Sequence, residues 1–210
     1  MTTSTEQRPS TTSEPMLPRS VTAFAVLAAT ILLVLGALAA PNLAASNLGM
    51  SMSMGMTHYM ELLASNQPRN LLLFMAVPVI LAETLAITEL TILFRRQATP
   101  SWVRTTSRVA GLIAGPIMLA IAVHLLVNAA VPLSISDGWR GPADVIAVGF
   151  YLSGAIPLVG ITLVELGLVG KAGTALKWHA TFIAIFLAVA HIAMIFGMLA
   201  PSVLGYQMGH

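Results

Sequence analysis

Residues 21–40 read VTAFAVLAATILLVLGALAA without a single charge, and comparable apolar runs follow at 70–94, 109–132, 144–169 and 178–203. About 20 apolar residues in a helix match the ~30 Å hydrocarbon core of a bilayer. Lipid offers the backbone no hydrogen bonds, so a run of this kind has to close its own as a helix. The chain is therefore expected to be an all-α integral membrane protein with five transmembrane helices. Composition agrees, with 57% hydrophobic and 9% charged residues against roughly 25% charged in soluble domains. A net charge of +2 gives nucleic acid nothing to bind. The absence of cysteine excludes disulfides, thiolate metal sites and cysteine nucleophiles. No Gly-rich phosphate loop, G-x-S-x-G elbow or H-E-x-x-H stands in the sequence, so nothing in it favours an enzyme.

Between the runs the chain divides into a disordered cytoplasmic tail (1–19), a first transmembrane helix (20–41), a Met-rich extracytoplasmic segment (42–69), a four-helix transmembrane domain (70–204) and a short outer tail (205–210). Ala37-Leu38-Ala39 before Pro41 also fits a signal-peptide cleavage site, so residues 20–40 have that second reading. Orientation follows from Lys and Arg. With the N-terminus inside, Arg8, Arg19, Arg95, Arg96, Arg104, Arg108, Lys171 and Lys177 are cytoplasmic, and only Arg69 and Arg140 are outside. That excess places the C-terminus and the Met-rich segment outside, in a multi-pass protein of the plasma (inner) membrane. Ala76-Val77-Pro78 leading to Glu89, and Ala155-Ile156-Pro157 leading to Glu165, suggest a weak parallel two-helix repeat. On that 1+2+2 plan Glu89 would match Glu165, and His124 would match His191.

The richest stretch is 50–90. Met50, Met52, Met54, Met56 and Met60 with His58 put soft and borderline metal ligands on the outer side. The span that follows carries Glu83 and Glu89, and ionisable residues within a bilayer mark ion paths, ligand sites or buried pairs. Depth sorts the polar residues into two layers. His124 lies 16 residues past Arg108, His191 14 past Lys177 and Glu83 12 before Arg95, which puts them ~18–24 Å from the inner flank. Met194 and Met198 share a helix face with His191, and Met118 falls nearby. This outer layer suits Cu(I), or Zn, Fe or Cu(II), according to which ligands engage. Glu89 and Glu165, each six residues from a basic flank, form with His179 an inner layer ~9 Å deep. Ion pairing to Arg95, Arg96, Lys171 or His179 and proton relay are the two uses open to it.

Plainer readings stand beside these. Met194 and Met198 can be packing residues, the Met run an adaptable lipid- or partner-binding strip, and His124 a hydrogen-bonded helix contact. The pattern Met-x-Met-x-Met-x-Met with Met194-x-x-x-Met198 is similar to that of eukaryotic high-affinity copper uptake channels. The similarity covers those short patterns alone, since those channels are three-span trimers. Residues 56–94, from Thr57-His58-Tyr59-Met60-Glu61 through Asn66-Gln67-Pro68 to Glu83-Thr84 and Ile87-Thr88-Glu89-Leu90, resemble an uncharacterised bacterial family of small permease-like membrane proteins. That resemblance implies a multi-spanning topology and makes the first span an addition.

The expected function is a permease or a metal-handling (copper) factor using an intramembrane Glu/His/Met site. The alternatives are a b-type haem protein with His124 and His191 as axial ligands, a proton-coupled carrier, and a structural accessory subunit. Expected partners are the lipid bilayer and either other membrane subunits or further copies of the chain.

Overall fold

A computed structural model describes residues 18–43, 55–170 and 174–205. Met50, Met52, Met54 and Lys171 lie outside the described residues. Every element assigned among those residues is helical. Five helices are long and apolar enough to cross a membrane: Arg19–Ala39, Arg69–Ala98, Ser101–Ile135, Pro142–Glu165 and Ala175–Met198, the first to fifth spans below. This is a membrane protein. A short helix, His58–Ala64, follows the first span and lies at one end of the bundle, with the 3-10 turn Pro201–Leu204 after the fifth span.

Prolines bend three of the spans, and each bend leaves polar backbone that lipid cannot satisfy. Proline lacks the N–H that would meet the carbonyl four residues earlier. In the second span Leu72–Ala76 widens into a π-type turn ahead of Pro78, and the Phe74 carbonyl that Pro78 cannot serve accepts the Tyr151 hydroxyl at 2.5 Å. The third span repeats the device. Leu126–Ala130 widens ahead of Pro132, and the Asn128 carbonyl accepts the Asn42 amide at 3.2 Å. In the fourth span the helix breaks at Gly154, three residues before Pro157.

The third and fourth spans approach closely because Gly111-x-x-x-Gly115 removes side chains from the contact face. Thr162 enters that groove. Its hydroxyl donates to the Gly111 carbonyl at 2.7 Å and accepts from the Gly115 N–H at 3.1 Å. A Cβ at Gly111 would stand 2.9 Å from Glu165 Cγ, so this glycine also admits Glu165 to the bundle interior.

The first span has no buried residue and packs mainly along the third. Its end is held by polar contacts. His124 donates from Nδ1 to the Ala37 carbonyl at 2.8 Å and accepts at Nε2 from the Leu43 N–H at 3.2 Å. Asn70, fully buried, donates to the Leu43 carbonyl at 3.1 Å.

Tyr151→Phe removes the donor that serves the Phe74 carbonyl and should lower unfolding stability in detergent by about 1–3 kcal/mol. An unchanged denaturation midpoint would mean that this carbonyl finds another partner.

Candidate functional site

Three polar assemblies sit at different levels of the bundle. At the end that carries the His58–Ala64 helix, Thr57 caps that helix, accepting from the Met60 N–H at 3.4 Å and donating to the Gly197 carbonyl at 2.5 Å. Asp144, with no solvent exposure, accepts the His58 backbone N–H at 2.7 Å, the His58 Nδ1 proton at 2.5 Å and the Arg140 N–H at 3.1 Å. Arg140 reaches the Met56 carbonyl at 2.8 Å and pairs with Glu61 at 2.6 Å. Tyr59 packs against Gly197, where a side chain would collide with its ring, and burial pushes its phenol up to about 12. The short helix is thus clamped onto the ends of the fourth and fifth spans.

Beneath this clamp is a cavity of about 540 Å³ between the second and fifth spans, roofed by Tyr59, Met60 and Leu63. Its lining includes Met75, Met118, Met194 and Met198, which are all the methionines of the five spans. Exposure falls from Met198 (68%) through Met194 (39%) to Met118 (2%), so thioethers grade from rim to floor. Glu83 and His191 also line the cavity. The His191 Nδ1 donates to the Leu187 carbonyl at 2.6 Å, which fixes the tautomer and leaves Nε2 as the nitrogen available to a ligand. The Glu83 carboxylate has no hydrogen-bond or ion-pair partner among the described residues.

The third assembly lies toward the opposite end. His179 on the fifth span stands between two carboxylates, Nδ1 at 3.0 Å from Glu89 and Nε2 at 3.6 Å from Glu165. Ser107 donates to the same Glu89 oxygen at 2.5 Å. The three donor atoms lie within 4.8 Å of one another, close enough to suggest a metal site. The ring argues otherwise. Each of its two nitrogens faces a different carboxylate, so the imidazole itself bridges Glu89 and Glu165 without an ion between them. This is the geometry of a proton bridge more than of a chelate.

The residues singled out in the sequence are therefore distributed over all three levels. Glu83, His191, Met194, Met198 and Met118 come together at the cavity, as their depth suggested, and Glu89, Glu165 and His179 come together in the inner assembly. His124 does not join the cavity. Both its ring nitrogens are taken, by the end of the first span and by Leu43 just after it, and Phe74 stacks on it with centroids 6.2 Å apart, so no lone pair is left for a metal or a haem iron. An axial pair of His124 and His191 does not fit these contacts. His58 is clamped to Asp144 through Nδ1, while Met56 contributes its carbonyl to Arg140. Sequence reasoning missed Asp144, Arg140 and Glu61, as well as Met75 in the cavity. The available signal was an acid in the first turn of the fourth span, where the helix N-terminus favours negative charge.

Breaking the buried His58–Asp144 pair with Asp144→Asn should cost about 3–5 kcal/mol and expose the segment before the second span to added protease. Unchanged cleavage kinetics would show that the clamp does not hold the short helix.

No curated protein matches the chain, and no solved structure matches it. A family model described as a family of unknown function (DUF6803) matches residues 54–210. The match starts just before Thr57-His58-Tyr59-Met60 and leaves the first span outside. It covers well over half of the sequence, and the chain belongs to this uncharacterised family.

Proposed function

We propose that the protein is a copper-handling permease of the bacterial plasma membrane that holds Cu(I) in the methionine-lined cavity. The observation that carries this reading is that every span methionine lines one cavity, beside a His191 whose Nε2 is free of protein partners among the described residues. Methionine used only as apolar filler has no reason to collect at one void while the first and fourth spans carry none. Thioether and imidazole donors together favour Cu(I) over harder ions, and Glu83 can balance its charge. In a chain without cysteine, these are the soft ligands available.

The excess of Lys and Arg at the Arg95–Arg108 end supports an N-terminus inside. That orientation turns the cavity toward the outer side, where Met50, Met52, Met54 and Met56 with His58 would first meet metal. The shared partner His179 supports the equivalence of Glu89 and Glu165 in a two-helix repeat. The different contacts of His124 and His191 do not extend it to the outer half.

A second reading rests on the apolar walls, which include Phe74, Phe150, Phe186 and Leu187, and on Glu83, which has no partner among the described residues. Here the cavity holds a membrane-soluble organic molecule whose polar head meets Glu83 and His191.

Anaerobic titration of the purified protein with Cu(I) against a competing chelator tests the proposal. Wild type should bind about one equivalent. Met118→Leu with Met194→Leu, or His191→Ala alone, should weaken affinity at least about tenfold, ~1.4 kcal/mol, while His124→Gln should not. Binding that is absent, or indifferent to these cavity substitutions, would overturn the copper reading; a co-purifying lipid-like molecule displaced by Glu83→Gln would favour the second.

A further inference from the structure

The inner assembly is unexplained by whatever fills the cavity. Glu89, His179 and Glu165 come from three different spans and lie at side-chain exposures of 8%, 6% and 16%. Burying three ionisable groups among apolar helices is costly, and packing alone would be served as well by apolar side chains of similar volume. The fold also makes room for them: Gly111 is the position that lets Glu165 reach inward.

We infer that Glu89, His179 and Glu165 form an intramembrane proton-exchange site, in which the imidazole passes one proton between two carboxylates. The groups that face it are Glu89 from the second span, Ser107 and Arg108 from the third, Glu165 from the fourth and His179 from the fifth. Lys177, two residues before His179, is exposed. With Arg108 within electrostatic reach of Glu165, the set is neutral when both carboxylates are ionised and the ring carries two protons. Gain or loss of one proton therefore leaves a single buried charge, which is the condition for a proton that exchanges rather than one held permanently.

The transfer balances. A proton leaves the Glu165 carboxyl for Nε2, and the proton on Nδ1 leaves for Glu89, whose Oε1 is steadied by the Ser107 hydroxyl. One O–H and one N–H bond break as one N–H and one O–H form, and no electrons change hands. The reverse order restores the ring. Contact on the Glu89 side is a formed hydrogen bond at 3.0 Å, whereas Nε2 and Glu165 stand 3.6 Å apart, beyond hydrogen-bond range. Glu165, the more exposed carboxylate, is thus the port at which a small side-chain movement makes or breaks the path. This site is independent of the copper reading and survives its failure.

Infrared difference spectra of the full chain in lipid, recorded between pH steps, test the inference. A carboxyl C=O band that titrates together with an imidazole ring band and shifts in D2O is expected in wild type. Glu165→Gln should diminish and shift the carboxyl band, because Glu89 remains, and His179→Gln should remove the imidazole band and uncouple the carboxyl titration from it. If His179→Gln does not fold, wild-type protein with 15N-labelled histidine decides. His179 ring signals that titrate with the carboxyl band uphold the site, and one fixed tautomer across about pH 5 to 9 overturns it. A carboxyl band unaltered in Glu165→Gln, or no titrating band in wild type, overturns it as well; a cluster that only packs helices moves none of these signals.

Discussion

Hydrocarbon supplies no hydrogen bonds, so every polar group carried into the spans has to find its partner in the protein. Most of the fold's particulars answer that requirement. Pro78 and Pro132 each release a carbonyl, and a side chain distant in sequence serves each one, Tyr151 for Phe74 and Asn42 for Asn128. Thr162 inserts its hydroxyl between the Gly111 carbonyl and the Gly115 N–H where the third and fourth spans meet. Asp144 collects three donors where the fourth span begins. These bonds fix how the helices rotate and how deeply they cross, which lateral apolar packing alone would leave open.

Against that background the groups left without partners stand out. Glu83 has none among the described residues, and the Nε2 of His191 has none; both face the cavity that gathers the span methionines. Both groups are exposed rather than sealed among the helices, so the cavity presents a carboxylate and an imidazole nitrogen on one wall. The inner assembly is the opposite case. Among the described residues its members contact one another and Ser107, with Arg108 within electrostatic reach of Glu165.

The five spans were legible from length and composition, since apolar runs of that size have no other stable form in lipid. Depth counting also grouped Glu83 with His191, Met118, Met194 and Met198, and Glu89 with Glu165 and His179, because rise per residue is nearly constant along a helix. Depth carries no information about azimuth. His124 sits at the level of the cavity but faces the first span, so depth counting predicted a ligand where the structure has a fastening. Met75 escaped notice because a lone methionine in an apolar helix looks like any packing residue until its neighbours are known. Asp144 was missed because a span boundary hides whether an acid faces water or the bundle. Nothing in the sequence pairs Arg140 with Glu61, which are 79 residues apart in the chain and joined by the folding of the short helix onto the bundle.

The claim on which the account turns is that the cavity is a soft-metal site. Copper-edge X-ray absorption of the Cu(I)-loaded protein, in wild type and in the Met118→Leu, Met194→Leu variant, examines it directly. Sulfur scatterers with one nitrogen in wild type, and fewer sulfurs in the variant, are the predicted result. Copper surrounded by nitrogen and oxygen alone, or an unchanged sulfur shell in the variant, would place the metal elsewhere and leave the cavity to another ligand.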